Sequence, residues 1–343
     1  MEFHWKPAVR LVLLVMWCGA VGGVDPLGAE EVARPTTSTT RTPHFVVHSD
    51  LSAAEVKAVI ERMENTLDTA ERYWDQPLRG AIECYVVKDL QNWRDGELPH
   101  PMARVLIGRV GGATVGTKVG EGRQRRAKAV VFASTFEGVA EHEGIHAYCG
   151  QTFGAIGPDW YKEGMAQMLT YRTCTGQGVM CPPRVLRAVK SGNHRPLRGI
   201  LTAGAFSREL SNSLERKAEK QDKAMGLVPL ENWTESDVRA LQQLHQSYSW
   251  SWLACHMLDE NPNYRSRFRC LGESYLTNRA QSRSNLFDAL AHEMEFEFRF
   301  MVDRIDNGYR VDLCCWDWNK RFRQLDSRRD VRVRVKSARG YQA

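Results

Sequence analysis

The chain has 343 residues, 43% of them hydrophobic and 26% charged, a balance that excludes wholesale disorder and suits one large domain or two modest ones. Its net charge of +6 gathers at one end, where residues 320–339 hold nine Lys or Arg against two Asp, so the remainder is close to neutral. A chain-wide basic surface, the electrostatic footprint of a nucleic-acid binder, is therefore not expected.

The opening, MEFHWKPAVRLVLLVMWCGAVGGVDPLGA, places Lys6 and Arg10 ahead of an apolar run from Leu11 to about Val21, followed by small residues. This is the pattern of an export signal over residues 1–29, cleaved near Ala20 or Ala29, and it predicts a secreted, periplasmic or cell-envelope protein. The run is short for a membrane span and no later stretch reaches ~18 consecutive apolar residues, so no transmembrane segment is expected in the mature chain. Residues 30–43 are Thr-rich with two prolines and read as a linker. A domain over 44–318 then divides into a sheet-rich part (44–134), two site helices (134–173) and a mainly helical part (183–308), with a basic strand or tail over 319–343.

Within that domain, HFVVHSD predicts a strand. LSAAEVKAVIERMENTLDTAERYW predicts a helix capped by Ser52, with Glu55 three residues on. AIECYVVKD is a second strand and LQNW begins a helical turn. ARVLIGRV, ATVGTKV and AKAVVFAS are β-prone, the last two forming a hairpin across GEGRQRR. Beyond Ser134 helical patterns dominate, including LQQLHQSYSWSWLACHML and SNLFDALAHEMEFEFRFMVDRI. The fold class is α+β, a sheet covered by helices and followed by a helical region. DVRVRVK alternates charge with valine, as a solvated edge strand does; contact of the tail with an anionic envelope polymer is the weaker reading. Without Cys18 there remain eight cysteines, an even number suited to disulfides. Cys174 and Cys181 could close a small loop, and the adjacent Cys314 and Cys315 would reach different partners; free buried thiols are the alternative.

The stretch VAEHEGIHAYCG, residues 139–150, sets two histidines and a glutamate in an apolar segment. STFE, Ser134 to Glu137, matches a capping box and predicts a helix starting there. Glu137, Glu141 and Tyr148 are assigned to its solvent edge, leaving His142, Glu143 and His146 facing inward. His142 and His146, four apart, can present two imidazoles to one metal ion, and Glu143, rotated by ~100°, can act as general base toward a metal-activated water. CGQTFGAIGPDW should stop the helix near Cys149 or Gly150, and Pro158 suits the first turn of the next. Antiparallel packing across so short a loop would return Glu163, separated from His146 by sixteen residues, to the histidines. Trp160, Ala166 and Leu169 would anchor that second helix, and Gly164 would allow close approach.

His142-Glu143-x-x-His146 followed by Trp160-x-x-Glu163-Gly164-x-Ala166 resembles the gluzincin metallopeptidases, in particular the peptidase-MA-like exported bacterial proteins. The resemblance covers about 25 residues and implies a zincin-like fold, one Zn2+ held by His142, His146 and Glu163, and Glu143 as base. It also implies a donor for the developing oxyanion from a later helix, for which Tyr248 is the first candidate and His245 and His256 the next. Asp159 or Gln167 could orient a ligand histidine. The expected function is zinc-dependent hydrolysis of a peptide or protein substrate, which could pair with AVVFAS if that strand forms a sheet edge. The alternatives are an inactive gluzincin-fold protein that binds or scaffolds the envelope, and a metal-dependent amidase acting on an envelope polymer.

Overall fold

A computed structural model describes residues 37–94, 96–119, 126–172, 183–191, 194–202, 235–277, 291–307, 314–316, 318 and 333–335. The expected export signal and the Cys174–Cys181 pair lie outside them, as does most of the basic tail. The architecture is mixed α/β, consistent with α+β, and its larger sheet has five strands in the order β1-β2-β3-β5-β4. These are β1 (Ser38–Arg41), β2 (Phe45–Ser49), β3 (Ile82–Val87), β4 (Gly112–Val119) and β5 (Arg126–Ser134). β2, β3 and β5 run parallel; β1 and β4 pair antiparallel at the two edges.

Helix α1 (Ala53–Trp74) links β2 to β3 and begins with the expected reciprocal cap between Ser52 and Glu55. Its apolar stripe, including Val56, Ile60, Met63 and Leu67, is buried in the main core. β3 is buried on both faces, as a central parallel strand must be. Cys84 and Val86 face the main core, whereas Tyr85 and Val87 join a second cluster with Trp93, Phe132, Ala103 and Ile107.

Ala103 and Ile107 lie in helix α2 (Ala103–Val110), where ARVLIGRV had suggested a strand. Their spacing of four puts both on the buried side, and the short apolar run could serve either conformation. The linker expectation also needs correction, because β1 lies inside residues 30–43 and is held by pairing of Ser38–Arg41 with Val46–Ser49. The hairpin expectation agrees with β4 and β5, paired from Gly112–Ala133 to Val119–Arg126.

Helix α3 (Val139–Phe153) carries the HExxH stretch and packs on β4, β5 and α1. It starts after Gly138, not at Ser134, because Ser134 is still a strand residue paired with Val87 and its N–H donates to Gly111 O (2.7 Å). It ends at Gly154, whose φ of 77° is readily adopted by glycine at a helix C-terminus. The assigned solvent edge is likewise wrong for two residues. Tyr148 is fully buried and donates to Gln76 O at 2.6 Å, while Glu141 is buried against Arg62 Nε at 2.5 Å. α3 is a central helix surrounded by protein, so one polar residue cannot mark a wet face.

Helix α4 (Asp159–Arg172) follows directly after Pro158, whose carbonyl accepts from Tyr161 and Lys162. The remaining helices are α5 (Pro183–Lys190), α6 (Leu197–Thr202), α7 (Glu235–Glu260), α8 (Arg265–Leu276) and α9 (Ala291–Arg304); a small ribbon pairs β6 (Cys314–Trp316) with β7 (Val333–Val335). The second strand lies within DVRVRVK, as its alternation suggested. α4 packs closely on α7 at Gly164, where a Cβ would stand 2.4 Å from Ser251 O and 2.5 Å from Cys255 Sγ. Both contacts involve atoms fixed in a helix, so Gly164→Ala should force the two helices apart. The expected cost is about 3 kcal/mol, read in a thermal melt as a fall of roughly 5 °C. Cys84, Cys149 and Cys255 are buried free thiols and Cys270 is an exposed one. Among the described residues, no helix is long and apolar enough to cross a membrane.

Candidate metal centre

Two helices build the site. α3 supplies His142 and His146 one turn apart, and the glycine-containing turn at 154–157 brings α4 back so that Glu163 meets them. His142 Nε2 lies 3.1 Å from His146 Nε2 and 3.2 Å from Glu163 Oε2; His146 Nε2 lies 3.4 Å from the same oxygen. Four ligands placed tetrahedrally about zinc at ~2.0–2.1 Å stand about 3.3–3.4 Å from one another. The three donor atoms therefore already have nearly the separations of one face of such a tetrahedron, and the donor set fits a divalent metal. Their side chains are only 14%, 11% and 7% exposed.

The second oxygen of Glu163 is occupied differently. Lys162 Nζ approaches Glu163 Oε1 at 3.6 Å and Asp159 Oδ1 at 3.1 Å. Burial pushes the Glu163 carboxyl up, but His146 and His142 outweigh it and hold the group well below the usual carboxylate range. Burial likewise lowers Lys162, and the charges of Glu163 and Asp159 overcome this, so its ammonium is retained. Lys162 thus fixes one carboxylate oxygen and leaves Oε2 toward the histidines.

Glu143 is buried on the same helix. Burial is the main influence on its carboxyl and raises it to about 6, against the lowering effects of His142 and the Thr114 hydrogen bond. The Thr114 hydroxyl lies 2.8 Å from Glu143 Oε2 and 2.8 Å from Glu143 O. Thr114 belongs to β4, so the sheet edge holds the carboxylate in place. Thr114→Val should raise the Glu143 carboxyl further, since a hydrogen bond that lowers it is lost, and Thr114→Ser should restore it; a titration of that carboxyl by NMR checks both.

These groups open into one cavity of about 600 Å³. His142, Glu143, His146, Lys162, Glu163 and Tyr248 line it together. The Tyr248 ring lies against that of His142, centroids 6.0 Å apart and planes at 26°. Burial, Glu163 and Glu143 all push the Tyr248 hydroxyl well above its ordinary range, so it remains a proton donor. Of the other candidates, His245 is exposed and lines the same cavity, while His256 stacks on Trp252 at 5.3 Å and does not line it. Gln167 lines the cavity and accepts from Tyr171 (3.4 Å); Asp159 engages Lys162 rather than a histidine.

The edge beside the site is β4, with Gly112, Ala113, Thr114 and Gly116 in the cavity wall; β5, which carries AVVFAS, is covered by β3 and β4. This corrects the expectation that AVVFAS forms the open edge. Thr114 and Lys162 carried no signal in the sequence reading, since their roles depend on a strand and a helix turn meeting α3. Comparison with known proteins finds no protein-family model that matches the chain and no curated protein that matches it.

Proposed function

We propose that this chain is an exported zinc-dependent peptidase of gluzincin type with a zincin-like fold. The observation that carries the reading is the convergence of His142, His146 and Glu163 at 3.1–3.4 Å beside a separately buried and oriented Glu143. Two histidines and a carboxylate are the donor set of hydrolytic zinc sites. When bound there, zinc supplies Lewis acidity.

The residues divide the remaining work. Glu143 accepts the proton of the attacking water and returns it to the leaving amine. The Thr114 hydroxyl keeps the Glu143 carboxylate aimed into the cleft. Tyr248 donates its hydroxyl proton as a hydrogen bond to the oxygen on which charge develops. A peptide in extended form aligns along the edge strand β4, whose Gly112, Ala113, Thr114 and Gly116 line the cleft, and its side chains alternate between wall and solvent.

A defined peptide library incubated with the zinc-loaded chain and read by mass spectrometry tests this. Cleavage at consistent bonds, absent with Glu143→Gln, supports a peptidase. Intact peptides with a folded, zinc-replete sample would turn the reading toward binding or toward a non-peptide amide.

A further inference from the structure

A smaller cavity of about 80 Å³ lies beside the metal cleft, and Glu163, Leu244 and Tyr248 line both. Arg195, Ser247 and Trp250 also line it, with Asp159, Trp160 and Ile200 among the rest of its wall. Arg195 Nη1 donates to Ser247 Oγ at 3.2 Å, and the guanidinium forms no ion pair with any described residue. Among the described residues, the other N–H donors of this group meet no partner. Trp250 is 1% exposed, and its indole N–H has no hydrogen-bond partner among the described residues. Its ring packs on His194 and Phe298.

The acidic groups in this wall are engaged elsewhere. Glu163 faces His142 and His146 with one oxygen and Lys162 with the other, and Asp159 is paired with Lys162. The small cavity therefore combines a partly buried cation and a hydroxyl next to the metal cluster. Its volume suits one planar polar group and has no room for a large apolar side chain. A carboxylate is the group that a guanidinium binds through two parallel N–H bonds.

We propose that Arg195, with Ser247, forms a carboxylate-binding subsite, so that the cleft selects substrates bearing a free carboxylate close to the bond cut. That carboxylate is either the peptide C-terminus or the side chain of Asp or Glu. The inference rests on the peptidase reading and deepens it, because it assigns a substrate class to the same site.

Three matched peptide hydroxamates separate these possibilities, the hydroxamate anchoring each probe at the metal. One carries a free C-terminal carboxylate, one a Glu side chain with an amidated C-terminus, and the control is amidated with Gln. Binding to the zinc-loaded full chain is measured by calorimetry for wild type, Arg195→Ala and Arg195→Lys, with melting and zinc content as folding controls. One of the two carboxylate probes should bind at least tenfold more tightly than the control, and this identifies the source of the carboxylate. The advantage should vanish in Arg195→Ala and weaken in Arg195→Lys, which keeps the charge and loses the fork, while control affinity and zinc content stay unchanged. If all three probes bind wild type alike, the carboxylate subsite is refuted and the metal centre stands. If no probe binds the folded, zinc-treated chain, the metal reading fails and this inference fails with it.

Discussion

Replacing Glu143 by Gln should lower peptide hydrolysis by about 10³-fold while zinc stays bound. The substitution keeps the volume and one acceptor, so the buried site need not repack, but an amide cannot take the proton from water. General-base assistance contributes roughly 10²–10⁴-fold. Glu143 does not belong to the triangle of converging donor atoms, which comprises His142, His146 and Glu163. Metal content and hydrolysis should therefore separate in this variant. A Glu143→Gln chain that hydrolyses peptides at the wild-type rate would remove the residue from the chemistry.

The second large effect is expected from Glu163→Ala. This variant removes the one anionic donor and leaves two buried imidazoles beside Lys162. Zinc affinity should fall by more than the roughly 10–100-fold that accompanies loss of a hydrogen-bond partner of a ligand. A thermal melt gives an independent readout, because a metal that binds only the folded chain stabilises it by about 4 kcal/mol at a thousandfold excess over Kd. Added zinc should raise the melting temperature of wild type and leave that of Glu163→Ala nearly unchanged. Hydrolysis and the zinc-dependent shift should be lost together, in contrast to Glu143→Gln. An equal shift in both proteins would place the metal elsewhere.

The site could be anticipated from sequence because its spacing follows local geometry. Four residues place His142 and His146 on one helical face, and the glycines and proline between Cys149 and Trp160 force a reversal that returns Glu163. Ser52 and Glu55 similarly announce the start of α1, since a capping box is satisfied within four residues. The failures occur where distant contacts decide. Ser134 has the local pattern of a cap, but pairing with Val87 keeps it in β5 and the helix begins after Gly138. Glu141 and Tyr148 have polar atoms that suggest solvent, yet Arg62 engages Glu141 Oε1 and Gln76 O accepts from Tyr148 inside the protein. Thr-rich residues became β1 because β2 offered a free edge. Thr114 and Lys162 belong to no motif, and only the packing of β4 and α4 against α3 gives them work.

Burial also separates the imidazoles of the site from its carboxylates. His142 and His146 retain slight access to the cavity, while Glu143 and Glu163 are buried and individually engaged, by Thr114 and by Lys162. Burying ionisable groups is expensive unless each has a partner. A core helix of purely structural histidines would not require a second helix to deliver a carboxylate to the same point. A metal ion is what we propose holds these donors together, and metal stoichiometry tests it.

The most direct measurement is therefore the zinc content of the purified chain, from about Glu30 onward, after reconstitution and exhaustive dialysis, with X-ray absorption to identify the ligand atoms. The expected result is close to one zinc per chain, held by two imidazole nitrogens and a carboxylate oxygen at about 2.0–2.2 Å, and its loss in His146→Ala. A folded wild-type chain that retains no metal would contradict the metal centre, and the two histidines would then be hydrogen-bonded residues of a core helix.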